Sequence, residues 1–232
     1  GREDATARGG MYCLREAARL IGLDTHGATM AIQGFGNAGQ FAATLGRELL
    51  GVTVVAVSDT RGGIYNPRGL DPHAVIQHKR LTGTVAGFPD ADAITNEELL
   101  ALPVDILVPA AMESVITGAN AAQIKARISV ELANGPATPE ADDILYQNNV
   151  FILPDFLCNA GGVTVSYFEM VQNAYGYYWD AETVHRRLDD KITAAFHAVM
   201  DVAERRGLNT RMAAYALAVD RVAEAVRLRG WA

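Results

Sequence analysis

The 232-residue sequence has few of the residues that build metal centres and disulfide frameworks. Its two cysteines, Cys13 and Cys158, form no motif, and its five histidines are dispersed. His73 and His78 lie five positions apart, so they would point to different faces of a helix. We therefore expect free, reduced thiols and no metal site.

Long hydrophobic runs are also missing, and positive charge is scarce. Runs such as residues 104–112 contain Asp or Pro and are too short to cross a bilayer, and no secretory signal opens the chain. The net charge is −7 at pH 7, and the 20 Lys and Arg residues are scattered, which disfavours binding to phosphate backbones. These features predict a cytoplasmic protein that binds neither membranes nor nucleic acids.

The hydrophobic residues, which make up 50% of the chain, follow two periods. Apolar, β-branched runs predict strands at residues 28–33, 53–58, 104–108, 128–132 and 150–153. Segments with helical spacing lie between several of these runs, and Gly22 and Gly51 are placed to end two helices. This alternation predicts an α/β fold in which a mostly parallel sheet carries helices on both faces.

Turn and capping residues mark several boundaries between these elements. A turn-rich stretch is predicted at residues 62–69, and Asp71 with Pro72 is typical of a helix start. Thr95 and Glu98 have the spacing of a capping box, which predicts a further helix.

The last third of the chain differs, because from Gly161 onward the pattern predicts three long helices and no strand. The first apolar stripe comprises Val184, Leu188, Ile192, Phe196 and Val199, and the second comprises Tyr215, Val219, Val222 and Val226. We expect both stripes to face the core. The predicted organisation is one domain with a first helix in residues 1–22, a core in 28–160 and C-terminal helices in 161–232.

A glycine-rich turn follows the first predicted strand and precedes a predicted helix. Its G-x-G-x-x-G pattern consists of Gly34, Phe35, Gly36, Asn37, Ala38 and Gly39. In such a turn the glycines permit a tight bend, close approach to a pyrophosphate and close contact between helix and strand. The N–H groups at the helix start then bind the anion. The pattern alone is weak, but its position predicts a doubly wound, Rossmann-like fold that binds a dinucleotide.

Asp59 ends the second predicted strand, 25 residues after Gly34, where dinucleotide-binding proteins place the acid that binds the adenosine ribose. A carboxylate accepts hydrogen bonds from a free 2′-hydroxyl and repels a 2′-phosphate, which favours NAD. Arg61 lies two residues on and leaves NADP possible. Alternatively, Asp59 only shapes the turn before Gly62 and Gly63.

From Arg2 almost to the C-terminus the sequence resembles the glutamate, leucine, phenylalanine and valine dehydrogenase family. Besides the glycine turn, the resemblance rests on Arg2 with residues 5–6 and on residues 57–59, 62–66, 109–111, 133–136, 154–155 and 159–169. The order and spacing of these segments together make it specific. The family pattern usually has glycine where this chain has Ala7 and Leu132, and Ala is common where Cys158 stands.

The resemblance implies a role for each matching residue around a nicotinamide cofactor. Thr6 and Asn37 would hold the nicotinamide carboxamide, and Ala110 with Ala111 would line the cofactor channel. Asn134 would bond the nicotinamide ribose. Asn159 would lie near both the nicotinamide and the substrate. For Asn134 the alternative is turn chemistry before Gly135 and Pro136.

Two residues point to the substrate. The resemblance implies that Val163 and Ser166 face the substrate side chain, where a serine hydroxyl bonds the distal carboxylate of L-glutamate. Branched-chain and aromatic members carry an apolar residue at that position, so Ser166 favours glutamate over leucine. The alternatives are a branched-chain or aromatic substrate and a hydroxyl that bonds back to its own helix.

The substrate domain of the family precedes the segment that this chain resembles, and it supplies a catalytic lysine and an aspartate. The only lysines here are Lys79, Lys125 and Lys191, and none lies in a glycine-rich stretch. We therefore expect this chain alone to be inactive, and its parent to be a homo-oligomer that interconverts L-glutamate and 2-oxoglutarate. The alternative is a dinucleotide-binding regulatory module without turnover.

Overall fold

The computed structural model describes residues 1–230 and contains a seven-stranded sheet. The strands are β1 (Thr29–Gln33), β2 (Thr53–Asp59), β3 (Gly62–Tyr65), β4 (Asp92–Ile94), β5 (Ile106–Pro109), β6 (Ile128–Val130) and β7 (Phe151–Leu153). The helices are α1 (Ala5–Ile21), α2 (Asn37–Leu50), α3 (Pro72–Thr82), α4 (Asn96–Leu100), α5 (Pro139–Gln147), α6 (Asp155–Cys158), α7 (Ala160–Tyr175), α8 (Ala181–Arg206) and α9 (Thr210–Leu228).

The sheet is mostly parallel, which confirms the predicted fold class. Its strand order is β4-β3-β2-β1-β5-β6-β7, and β1 pairs in parallel with both β2 and β5. The chain moves outward from β1 to β4 and then returns to the other side of β1 to form β5. The carboxyl ends of β1 and β5 therefore border a topological switch point, where open α/β sheets bind ligands.

Side chains of the central strands alternate between two buried layers, as the apolar runs predicted. In β1, Met30 and Ile32 join the layer formed with α1, α2 and α8, whereas Ala31 joins the layer under α4 and α5. Because successive strand residues point to opposite faces, a sheet that is covered on both sides needs apolar residues at every position.

The predicted helix ends are confirmed at atomic detail. Gly22 and Gly51 adopt left-handed backbone conformations at the ends of α1 and α2, with φ of +66° and +70°. Asp71 accepts a hydrogen bond from the His73 N–H at the start of α3. Both hydrogen bonds of the Thr95–Glu98 capping box are formed at the start of α4.

Two strands were not predicted. The stretch expected to be only turns contains β3, which pairs antiparallel with β2, and β4 pairs antiparallel with β3. These strands have four and three residues, and β3 begins with two glycines, so neither carries a clear apolar alternation.

The C-terminal helices α7, α8 and α9 are present as predicted, but only one of the two apolar stripes faces the core. The α8 stripe is buried throughout, whereas Tyr215, Val219 and Val222 on α9 are 51%, 63% and 65% exposed. The prediction of a buried α9 stripe is wrong, because periodicity shows that a face is apolar and not what covers it. Helix α9 contacts α8 and β7 and buries mainly Ala213 and Ala214. Among residues 1–230, no helix is long and apolar enough to cross a membrane.

Candidate functional site

The predicted cofactor residues lie along one edge of the sheet. The glycine turn follows β1, Asp59 ends β2, Ala110 and Ala111 follow β5, and Asn134 follows β6. All four are carboxyl ends of parallel strands, and they surround the switch point between β1 and β5. The fold thus brings together segments that lie up to 100 residues apart in the chain.

Each glycine of the turn meets a different physical requirement. Gly34 has φ of +98°, and a Cβ there would lie 2.6 Å from the Cβ of Ala111. A Cβ at Gly39 would lie 2.0 Å from the Gly34 carbonyl oxygen, so helix α2 starts against the turn itself. A Cβ at Gly36 would meet no atom within 4 Å. Gly36 therefore faces open space, in which a valine would fill room that a pyrophosphate needs.

The start of α2 is suited to an anion. Gly36 occupies the N-cap position, no described side chain caps this end, and the first turn carries no acidic residue. Phe35 contributes its backbone rather than its ring, because its ring is buried and its carbonyl accepts hydrogen bonds from Gln40 and Lys79. The free N–H groups and the helix dipole favour negative charge here.

Three helix starts meet beside this turn. The Asn37 Nδ2 donates to the Glu3 carbonyl just before α1, at 3.2 Å. The Thr6 hydroxyl lies only 2.7 Å from where a Cβ would stand at Gly162 in α7. A Cβ at the neighbouring Gly161 would overlap the Ala5 carbonyl oxygen, at 1.9 Å. The start of α1 is thus bonded to Asn37 through Glu3 and packs closely against α7 through Thr6, an arrangement that sequence reasoning had not predicted.

Two asparagines far apart in the sequence are joined directly. The Asn159 Nδ2 donates to the Asn134 Oδ1 at 2.7 Å, and Asn134 remains exposed. Asn159 stands at the start of α7, and Asn134 belongs to the loop after β6. The hydrogen bond leaves the Asn134 amide N–H groups free to meet a ligand.

Asp59 is almost fully enclosed. Its side chain is 7% exposed and accepts hydrogen bonds from the Arg61 and Val85 N–H groups and from the Thr84 hydroxyl. Lys79 lies 3.3 Å from it. Burial opposes its ionisation, but the bonds from Arg61, Val85, Thr84 and Lys79 together outweigh burial and lower the pKa of Asp59. Asp59 thus shapes the turn, which is one of its two predicted roles. Binding of a ribose by Asp59, the other role, remains a prediction.

The two substrate residues lie on the first turns of α7. Val163 is exposed, and Ser166 is partly buried. The Ser166 hydroxyl donates to the Gly162 carbonyl at 2.9 Å, which is the alternative of a bond back to its own helix. A role toward a substrate therefore requires this hydroxyl to turn away from the helix.

A profile of the Glutamate/Leucine/Phenylalanine/Valine dehydrogenase family matches residues 1–230. The chain belongs to this dehydrogenase family. It is 54% identical over 230 residues to glutamate dehydrogenase of Thermotoga maritima, with 99% of this chain and 55% of that protein covered. It is 47% identical over 231 residues to the cryptic catabolic NAD-specific glutamate dehydrogenase of Bacillus subtilis, covering 100% of this chain and 54% of that protein.

The fold is shared with a solved member of the family. The hetero-hexameric glutamate dehydrogenase of Thermus thermophilus superposes with a TM-score of 0.93 at 38% identity, covering 99% of this chain and 54% of that one. The chain thus spans about half the length of the relatives that it matches. Its seven-stranded sheet is a dehydrogenase nucleotide-binding fold.

Leu132 departs from the family pattern, and the structure shows how this chain accommodates it. Leu132 is buried after β6, and its Cδ2 lies 2.5 Å from where a Cβ would stand at Gly10 in α1. Gly10 therefore provides the space that the larger residue needs. The larger Leu132 side chain is thus accommodated against α1 and not at the exposed Asn134.

An ionic cluster beneath the Asn134 loop had not been predicted. Arg211 at the start of α9 donates to the carboxylates of Glu131, Asp142 and Asp155. Complete burial raises the pKa of Glu131 to about 7, although Arg211 opposes the rise. Glu131 and Asp155 stand just after strands β6 and β7. Polar residues that follow buried strands were the sequence signal from which this cluster could have been predicted.

A further cavity lies elsewhere on the domain. It measures about 920 Å³ and opens at the opposite, amino-terminal edge of the sheet, where Phe151, Ile152, Leu20 and Met200 line it. The open space over Gly36 is the better candidate for a dinucleotide, because backbone N–H groups and a helix N-terminus bind pyrophosphate better than this mostly apolar cavity does.

Proposed function

We propose that this chain is the NAD-binding half of a glutamate dehydrogenase. The observation that carries the proposal is the glycine turn at the switch point, where Gly36 faces open space at the start of α2. Names of relatives support the choice of cofactor and substrate, since two of them, at 47% and 45% identity, are named NAD-specific glutamate dehydrogenases.

The bound dinucleotide would accept a hydride from the amino acid, or donate one to the imine that the oxo acid forms with ammonia. In the proposed arrangement the N–H groups at the start of α2 hold the pyrophosphate. Thr6 and Asn37 orient the carboxamide, so one face of the nicotinamide ring is presented to the substrate. Ala110 and Ala111 are small and would leave a channel for the cofactor opposite Gly34.

Asn134 would bind the nicotinamide ribose through its free amide group. Asn159 would fix the orientation of that amide and lie beside the substrate, since its own Nδ2 bonds the Asn134 Oδ1. On α7, Val163 and Ser166 would contact the substrate side chain. We propose L-glutamate and 2-oxoglutarate as the substrate pair, because a hydroxyl at Ser166 suits a carboxylate better than an aliphatic group.

The parent protein would combine this half with the segment that supplies a lysine and an aspartate, and would assemble as an oligomer. The 232 residues alone should then bind NADH without glutamate-dependent turnover. A non-catalytic binding module would also bind NADH, and NADP remains a possible second cofactor. Only glutamate-dependent NADH formation by the parent protein distinguishes a dehydrogenase from such a module.

The test of cofactor binding is a calorimetric titration of NADH into the unsubstituted chain and into the Gly36→Val variant. Gly36 has an extended backbone, with φ of −80°, and open space around a Cβ, so valine should leave the fold intact. We expect NADH binding to be lost while the unfolding temperature stays unchanged. Ala181→Val also places a valine at a helix start, that of α8, and should bind NADH normally. Equal NADH affinity in Gly36→Val and in the unsubstituted chain would contradict the proposed site.

A further inference from the structure

Arg211 connects three elements that meet under the Asn134 loop. Its Nη2 donates to the Glu131 Oε1 at 2.7 Å and to the Asp142 Oδ1 at 2.9 Å, and its Nη1 donates to the Asp155 Oδ1 at 3.2 Å. These carboxylates belong to the segment after β6, to α5 and to α6. The planar guanidinium can satisfy all three at fixed angles, which a lysine cannot do.

One of these carboxylates continues directly into the loop. The other oxygen of Asp155, Oδ2, accepts a hydrogen bond from the Gly135 N–H at 2.8 Å, and the Asp155 N–H donates to the Glu131 Oε2 at 3.2 Å. Gly135 has φ of +53°, a conformation in which side chains are rare. Asp155 thus holds the loop backbone at the residue after Asn134.

Asn134 is fixed from both sides by these contacts. Its side chain is bonded by Asn159, and the next backbone N–H is bonded by Asp155, which Arg211 in turn holds. We propose that Arg211 is a positioning residue that acts through Asp155 to place Asn134 for the nicotinamide ribose. This inference rests on the proposed function, because it takes Asn134 as a ribose contact.

The arrangement suits positioning because a loop that is ordered before binding loses less conformational freedom when the ligand arrives. Arg211 is mostly buried, so it contributes to the groove only through Asp155 and Gly135. The effect of disturbing it should therefore be confined to the nicotinamide half of the cofactor. The glycine turn, which binds the adenosine half, has no bond to this cluster among the hydrogen bonds described for residues 34–39.

Comparing two ligands distinguishes the adenosine half of the site from the nicotinamide half. ADP carries the adenosine ribose and the pyrophosphate, whereas NADH adds the nicotinamide ribose and ring. We would measure dissociation constants for both ligands with the parent chain, Arg211→Lys and Asp155→Asn. We expect NADH binding to weaken about tenfold in Asp155→Asn, as for loss of a hydrogen bond to a charged group, and ADP binding to stay within about twofold. Arg211→Lys keeps the positive charge but loses the planar geometry of the guanidinium, so it should weaken NADH binding by a smaller factor.

The control is Asp189→Asn on α8, which removes a carboxylate from another two-pronged ion pair, with Arg15, remote from the loop. It should leave both dissociation constants unchanged. Equal weakening of NADH and ADP in Asp155→Asn, or no weakening of NADH, would overturn the positioning role. If Arg211→Lys fails to fold, Asp155→Asn still decides the question. A parent chain that binds neither ligand would instead refute the proposed function.

Discussion

Asp59 and Lys79 form a charged pair beside the glycine turn. Lys79 lies 3.3 Å from the Asp59 Oδ2 and also donates to the Phe35 carbonyl at 3.0 Å. The pair therefore stands between the end of β2 and the turn itself. A carboxylate here neutralises the lysine, and its removal would free a cation next to the adenosine-ribose position.

We predict that Asp59→Asn shifts cofactor preference toward NADPH. Asparagine keeps the shape of the side chain but leaves Lys79 free to pair with a 2′-phosphate, and it no longer repels that phosphate. The ratio of the NADH and NADPH dissociation constants should change about tenfold or more, measured by fluorescence titration. Asp71→Asn, the same change at the start of α3, is the control. An unchanged ratio would mean that Asp59 only shapes the turn.

Glu131 makes the stability of the domain depend on pH. Burial raises its pKa from 4.5 to about 7, and Arg211, Asp142, Asp155 and the nearby Cys158 are the titratable or charged groups around it. A carboxyl whose folded-state pKa is raised stabilises the protein fully below its unfolded pKa, and this contribution is lost as the pH rises through the folded pKa. The ionised form of Glu131 is thus the unfavourable one.

Replacing this residue should remove that pH dependence. In Glu131→Gln we expect unfolding free energies that match the parent near pH 4.5 and exceed it above pH 7, by up to about 3 kcal/mol for a shift of this size. Urea unfolding at several pH values measures the difference. A difference between the two proteins that is constant across this pH range would contradict the assigned pKa.

At the scale of elements, helix α1 packs against the segment after β6 through one glycine and one leucine. Glycine inside a helix normally costs about 1 kcal/mol relative to alanine, so Gly10→Ala would be expected to stabilise α1. The Leu132 side chain occupies the space that a Cβ needs, at 2.5 Å, and overpacking of a core costs about 1–3 kcal/mol. The second effect should prevail.

We therefore predict a reversal of sign in a double-mutant cycle. Gly10→Ala should lower the free energy of unfolding in the parent, and it should raise it by up to about 1 kcal/mol in a Leu132→Ala background. Chemical denaturation of the four proteins measures the coupling. Additive effects would show that Gly10 is required for another reason.

Elements with local signals could be predicted from the sequence, and those that depend on distant partners could not. The strands of the central sheet, the caps Asp71 and Thr95 and the stop at Gly22 each follow from neighbouring residues. The short antiparallel strand β3 depends on its pairing with β2, and the exposure of α9 depends on what lies against it. Neither is encoded in a local period.

At the scale of the whole molecule, the candidate site is an assembly of strand ends. The glycine turn, Ala111 and Asn134 could be named from motifs and family resemblance, and the topology explains why they meet. The bond between Asn159 and Asn134 and the cluster around Arg211 join residues 25 to 80 positions apart. Their pairing required the fold, because no single-sequence pattern links such distant polar side chains.

The proposed function requires a nicotinamide dinucleotide to bind at the switch point between β1 and β5. The most direct measurement is an NADH titration of the ¹⁵N-labelled chain followed by backbone amide NMR shifts. We predict that the largest shifts fall on Gly36, Asn37, Ala111 and Asn134, at the carboxyl ends of the strands. Shifts that instead cluster around Ile152, at the cavity on the opposite edge of the sheet, would contradict the account.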